Sequence, residues 1–239
     1  KDNFDVMAHG YKPVGGLFPE TSIGWYRKHF TVARADSGSR FQIQFDGIFR
    51  DANIWLNGFF LGNNKSGYVG ESYDITDYIN FDRNNVLVVR ADASQYEGWF
   101  YEGAGIYRHV WLNKYENVHI MQDGVFAGSA IVSNKAVVNV ETSLQNQSAA
   151  PSSAVVSVYM TDREGKIVAK SKDQPLTIAV NRQATAINNI SLVNFRNWTL
   201  DDPYLYRVVV EVRVNGKIID QQKIRYGLRH IEIKPNGVF

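Results

Sequence analysis

The feature that most constrains this chain is a side-chain period of two, carried almost from end to end. Arg40-Phe41-Gln42-Ile43-Gln44-Phe45 alternates polar and apolar, and so does Val138-Asn139-Val140-Glu141-Thr142. Asn53-Ile54-Trp55-Leu56 runs into Asn57-Gly58 and returns as Phe59-Phe60-Leu61, the pattern of a hairpin. Asn85 to Arg90 and Ile106 to Leu112 read as further strands. No window of helical length places apolar residues at i, i+3, i+4 and i+7. Short strands broken by turn signals predict an all-β fold of sandwiches or jelly rolls, with no helix longer than about three turns.

With 239 residues there is room for one large or two ordinary domains. A boundary is expected near Asn117. Before it the chain is dense in aromatics and glycine; after it Val, Ile, Ser and Asn dominate. The second part has the length of an immunoglobulin-like sandwich. Its expected strands are 118–126, 136–145, 154–162, 167–171, 176–179, 184–192, 205–214 and 217–226. Arg163-Glu164-Gly165-Lys166 and Asn215-Gly216 read as hairpin turns, and "DGVFAGSA" from Asp123 reads as a turn between strands. At the C-terminus Asn236-Gly237 is a two-residue hairpin signal. Only Val238 and Phe239 follow it, an arm expected to be too short to pair. That suggests a chain cut from a longer one.

Several function classes drop out. There is no cysteine, which removes disulfides and thiolate metal sites. Lys plus Arg number 26 against 24 Asp plus Glu, with no basic stripe, so nucleic acid is not an expected partner. No apolar run reaches the ~18 residues of a membrane helix. Starting at Lys1 rather than Met, with zero cysteine, the chain is expected to be periplasmic or secreted, its leader removed. The five histidines are scattered, with His109 and His119 inside strand patterns. No serine sits in a nucleophile elbow and no glycine-rich loop opens a helix. Asp74, Asp77 and Asp82 read as caps of a turn in preference to a calcium site. No cofactor, metal ligand or catalytic residue is assigned.

One stretch asks for a function. "EGWFYEGAGIYRHVWL", Glu97 to Leu112, sets two carboxylates among rings and glycines before a strand. Glu97 and Glu102 could suggest a glycosidase pair. A catalytic pair, however, needs one acid of raised pKa and rigid placement of both, which one loop does not offer. Recognition fits better. Trp99, Phe100 and Tyr101 offer faces for sugar C–H groups, Glu97 and Glu102 accept hydroxyls, and Gly98 and Gly103 permit close backbone approach. On these residues alone the alternative reading is an aromatic cap on a sandwich.

"GWYRKHFTV" (Gly24–Val32), "GIFRDANIWLNGFFLGNNKSGYVGESYDITDYI" (Gly47–Ile79) and "GWFYEGAGIYRHVWL" (Gly98–Leu112) resemble the sugar-binding jelly roll of family 2 glycoside hydrolases. "NWTLDDPYLYRVVVEV" (Asn197–Val212) and "YGLRHIEI" (Tyr226–Ile233) resemble that family's immunoglobulin-like domain and its exit. The motifs come in the family's order across the whole chain, and the glycine loop is most similar to Bacteroides-type β-galactosidases. The resemblance implies a galactose-binding-like jelly roll over 1–117, an immunoglobulin-like sandwich over 118–230, and over 231–239 the start of a link into a catalytic TIM barrel. A barrel needs ~250 residues of its own and is not in this chain. It implies a carbohydrate substrate for a retaining β-glycosidase whose catalytic carboxylates lie outside the chain. The family's first jelly-roll strand, normally upstream of Lys1, is also missing. Glu97, Trp99, Tyr101 and Glu102 would touch substrate, with Glu97 the better match for the family's acidic residue. Arg108 would be a structural ion-pair partner, and Trp55, Tyr68 and Trp111 would be core. A free-standing carbohydrate-binding module and a structural adhesin fragment of sandwich domains are the alternative readings.

Overall fold

The computed structural model describes residues 23–94, 104–231 and 233–238. It divides the chain into two compact units, Lys1–Lys114 and Tyr115–Phe239. Both are built of strands. The helical elements among the described residues are two short 3₁₀ turns, Arg34–Asp36 and Thr76–Tyr78.

The strands of the first unit are β1 (Ile23–Thr31), β2 (Arg40–Phe45), β3 (Ile48–Phe49), β4 (Ala52–Leu56), β5 (Phe59–Asn64), β6 (Glu71–Asp74), β7 (Asn84–Asp92), β8 (Gly105–Ile106) and β9 (Val110–Tyr115). They form sheets in the orders β1-β7-β4-β5 and β6-β2-β9, with β3 paired to β8. Alternation sets the inward faces. Phe41, Ile43 and Phe45 of β2 meet Ile54 and Leu56 of β4 and Val89 of β7 in one core. The outward face of β1-β7-β4-β5 is unusually aromatic. Trp25 stacks on Trp55 with ring centroids 6.0 Å apart, and Phe60 follows 5.7 Å beyond. Trp55, expected in the core, is therefore a half-buried residue of the outer face. β4 alternates Ala52, Ile54 and Leu56 inward, so residue 55 must point out.

The second unit holds β10 (Val118–Val132), β11 (Lys135–Asn146), β12 (Ser152–Thr161), β13 (Ile167–Lys170), β14 (Gln174–Ile178), β15 (Gln183–Val193), β16 (Tyr206–Val214), β17 (Lys217–Tyr226), β18 (Ile233–Lys234) and β19 (Gly237–Val238). One sheet runs β10-β11-β15. The other runs β13-β12-β16-β17, with β14 also on β12. Ile120, Val138, Leu144, Met160, Ile190, Val210 and Leu228 lie between them, fully buried. Central strand β16 is buried on both faces from Val208 to Val212. Its outward Glu211 accepts from Tyr159 Oη at 3.1 Å and Gln221 Nε2 at 3.0 Å and pairs with Arg213. A buried carboxylate is tolerated when it is so paired.

Two expectations about turns are corrected. "DGVFAGSA" is no turn: it lies inside the 15-residue β10. The register against β11 shifts between Ile120 and Val125, a bulge. Asp123 takes φ +53°, and a Cβ on Gly124 would fall 2.7 Å from the Met121 carbonyl and 2.9 Å from that of Ser143. The glycine allows the strand to bend without ending. At the C-terminus the arms do pair, Ile233 with Val238 and Lys234 with Gly237. The turn is therefore Pro235-Asn236, one residue earlier than expected, because proline's fixed φ suits the first turn position.

Candidate functional site

Glu97, Trp99, Tyr101 and Glu102 lie outside the described residues. The structure defines the frame that holds both ends of their segment. On entry, the Asp92 backbone N–H donates to the Arg50 carbonyl at 2.8 Å. The Asp92 carboxylate accepts from the Ser94 hydroxyl at 2.5 Å, the Ser94 N–H at 3.1 Å and Arg90 Nη2 at 2.7 Å. These hydrogen bonds, the Ser94 hydroxyl foremost, hold its carboxyl below the usual carboxylate range. On exit, β8 pairs with β3, Ile106 opposite Ile48 and Gly105 opposite Phe49. Tyr26 locks this end: its Oη accepts from the Ile106 N–H at 3.3 Å. Gly105 has φ +84°, and a Cβ there would stand 1.9 Å from that oxygen. Only glycine fits.

Two neighbouring connections meet the same end of the sandwich. Tyr107 Oη donates to the Gly67 carbonyl at 2.8 Å. Phe49 packs edge-on against Tyr68, centroids 5.7 Å apart, and the Arg50 guanidinium lies 5.7 Å from the Phe49 ring. Asp51, at φ +41°, accepts from Asn63 Nδ2 at 2.9 Å. The rim of this end thus carries aromatic faces, a guanidinium and a carboxylate, the groups that contact sugar rings and hydroxyls. Tyr68 and Tyr107 are 53% and 50% exposed. Tyr68, expected in the core, is a rim residue because its connection passes over Phe49 instead of under it. Sequence reasoning did not single out Tyr26, Arg50, Asp51 or Tyr107. The available signal was Arg50-Asp51 between two strand patterns, where chemistry-bearing loops sit.

Trp111 is also displaced from its expected place in the core. It is 48% exposed, and its indole N–H donates to Asp46 Oδ2 at 2.9 Å. That bond comes first among the causes that hold Asp46 below its ordinary value; Gln44, Arg108 and His109 add to it against partial burial. An apolar groove of about 440 Å³ opens beside β1 and β9, over Phe30, Phe45, Val89 and Leu112. Its lining is mostly aliphatic and aromatic, with Tyr26, Arg27, Lys28 and Trp111 as the residues that carry polar groups.

Among the described residues no group of three His, Asp or Glu is placed to hold a metal. Asp74 is engaged as a cap, accepting from Thr76 Oγ1 at 2.6 Å and from Arg40 at 2.5 Å. Asp82 accepts from the Arg34 N–H at 2.8 Å.

Comparison with known proteins identifies this architecture. Residues 17–117 match the model of the glycosyl hydrolases family 2 sugar binding domain, and residues 118–229 match a second glycosyl hydrolases family 2 model. A β-galactosidase of Bacteroides ovatus, BoGH2A, is 36% identical over 90% of this chain and 25% of its own length. A β-glucuronidase of Formosa agariphila is 27% identical over 100% of this chain and 26% of its own length. The crystal structure of a family 2 glycosyl hydrolase from Bacteroides cellulosilyticus superposes with TM-score 0.86 at 32% identity, covering 91% of this chain and 30% of that one. The chain thus spans about a quarter of the length of the curated relatives it matches. With a sugar-binding jelly roll followed by an immunoglobulin-like sandwich, matched by the family's own models along nearly its whole length, the chain belongs to glycosyl hydrolases family 2.

Proposed function

We propose that the chain is the non-catalytic front part of a retaining β-glycosidase of β-galactosidase type, and that Glu97–Gly105 forms one wall of its substrate pocket. The domain boundaries 1–117 and 118–230, with 231–239 leading into the barrel, belong to this reading. So does a periplasmic or secreted location, which the absence of cysteine fits. The observation that carries the pocket wall is the frame: both ends of the segment are tied down at the rim formed by Arg50, Tyr68 and Tyr107. A loop so anchored can present binding side chains on a rigid scaffold. Glu97 would accept two sugar hydroxyls, and Trp99 and Tyr101 would offer apolar ring faces, with Glu102 as the neighbouring acceptor.

A charge-assisted hydrogen bond to a buried hydroxyl contributes about 1.5–3 kcal/mol. Glu97→Ala in a parent enzyme carrying the barrel is therefore expected to lower kcat/KM by roughly ten- to a hundred-fold, with thermal stability unchanged. Trp99→Ala should act in the same direction. Variants that keep wild-type kcat/KM but melt lower would make the loop a structural cap. Damage from Glu102→Ala alone would move the contact to Glu102. Assays on aryl β-galactoside and aryl β-glucuronide in parallel decide the sugar, since relatives of both names match. The 239-residue chain itself is expected to hydrolyse neither, because acid and nucleophile are supplied by the barrel. Glycan binding by the isolated chain would favour a free-standing binding module instead.

A further inference from the structure

The outward face of β10-β11-β15 is almost uncharged, and its residues fall into rows fixed by the strand register. One row is Phe126, Glu141, Ile187; the next is Gly128, Asn139, Asn189. Then come Ala130, Val137, Ser191 and finally Val132, Lys135, Val193. The two outer rows have the same form, a large apolar residue on each side of a charge, with the charges opposite in sign. Their apolar corners are strongly exposed: Phe126 66%, Ile187 51%, Val132 74% and Val193 60%. In the middle, Asn139 Nδ2 donates to Asn189 Oδ1 at 3.2 Å, so each amide has a partner within the face.

A face so arranged is complementary to itself. Consider a two-fold axis lying in the interface, across the strands, at the level of Val138. It sets two copies face to face with strands antiparallel. Each residue of β11 then meets the one equally far on the other side of 138. Glu141 lies over Lys135 of the second copy, Phe126 over Val132, and Ile187 over Val193; every contact occurs twice, as an isologous interface requires. In the middle rows Gly128 meets Ala130, Asn139 meets Val137 and Asn189 meets Ser191. Packed sheets cross at about −30°, and β11 is the central strand, so the crossing displaces Lys135 from Glu141 by only about 5 Å. Long side chains span that.

We infer that this face is a two-fold self-association surface, with a second copy of this chain as its partner. The evidence is charge complementarity at the Lys135–Glu141 pairs together with apolar corners that are exposed in this chain. The face measures roughly 26 by 14 Å from strand rise and spacing, small beside the ~800 Å² per partner of standard interfaces. The dimer is therefore expected to be weak and reversible, populated only towards roughly high-micromolar concentration.

The test is sedimentation equilibrium of the 239-residue chain over a low- to high-micromolar series. The expected weight-average mass rises from 27.1 kDa towards twice that value. Lys135→Glu sets like charges opposed at both symmetric contacts and should weaken association at least about tenfold, and Glu141→Lys should do the same. The double swap Lys135→Glu/Glu141→Lys restores opposite charges and should restore the dimer. Both positions are solvent-exposed, and unchanged melting temperatures verify that the variants fold. A chain that stays monomeric throughout overturns the inference. So does a dimer indifferent to the single swaps, or one that the double swap fails to rescue.

Discussion

Gly105 and Tyr26 make a joint in which two constraints fall on one position: a positive φ and a hydroxyl standing where a Cβ would go. Gly105→Ala is expected to destabilise the first unit by more than about 1 kcal/mol in urea titrations. Tyr26→Phe removes the obstructing oxygen but leaves the Ile106 N–H without its acceptor. The double variant should therefore cost less than the sum of the two singles, because the clash cannot be lost twice. Asp92, on the other side of the segment, supplies a pH dependence. Its folded-state pKa is depressed, chiefly by the Ser94 hydroxyl. Its contribution to stability is then fully present above the unfolded-state pKa, near 4, and is lost as pH falls through the folded value. Ser94→Ala should raise the Asp92 pKa in a carboxyl NMR titration and make the acid limb of the stability curve shallower. Asp92 has its side-chain partners Arg90 and Ser94 two residues away on either side, but the other joint could not be read locally. Gly105 shows in sequence as one more loop glycine, and its partner Tyr26 is far away along the chain.

Among the elements, β10 is the instructive strand. Its Asp123-Gly124 pair carries the composition of a turn, yet backbone pairing with β11 continues on both sides. A turn and a bulge share their residue preferences, and only the neighbouring strand decides between them. Gly124→Ala would press a methyl group against the Met121 and Ser143 carbonyls. A loss of about 1–3 kcal/mol is expected, read as a lower denaturation midpoint of the second unit with little change in m-value. Elsewhere the strands follow the expected pattern closely. β15 alternates without a fault from Thr185 to Val193, odd residues exposed and even ones buried. The outer aromatics of the first unit were harder to place. Trp55 alternates correctly with Ile54 and Leu56, but its bulk and apolarity argue for the core from composition alone. The structure instead stacks it on Trp25 across β7.

At the scale of the whole molecule, each unit has its own core. Core damage should therefore remain within its own unit. Ile190→Ala, at a fully buried site, is expected to cost the second unit about 2–5 kcal/mol. Four of the five tryptophans, Trp25, Trp55, Trp99 and Trp111, belong to the first unit and Trp198 to the second. Tryptophan fluorescence with Trp198 replaced by Phe follows the first unit, and its transition should stay in place while the second unit's circular-dichroism transition moves down. A single merged transition would mean that the units unfold together.

Local pattern alone carries the all-β class, the alternation of faces along most strands, and the family. A period of two is a property of the extended backbone, and the family's motifs are contiguous stretches, so both survive without knowledge of neighbours. Strand pairing is what makes Asp123-Gly124 bend a strand without ending it, and what puts the last turn at Pro235-Asn236. The same pairing turns Trp55, Tyr68 and Trp111 outward, and makes the rows holding Lys135 and Glu141 mirror each other. Each of those depends on which strand lies beside which, and that pairing is set by contacts between residues far apart in the chain.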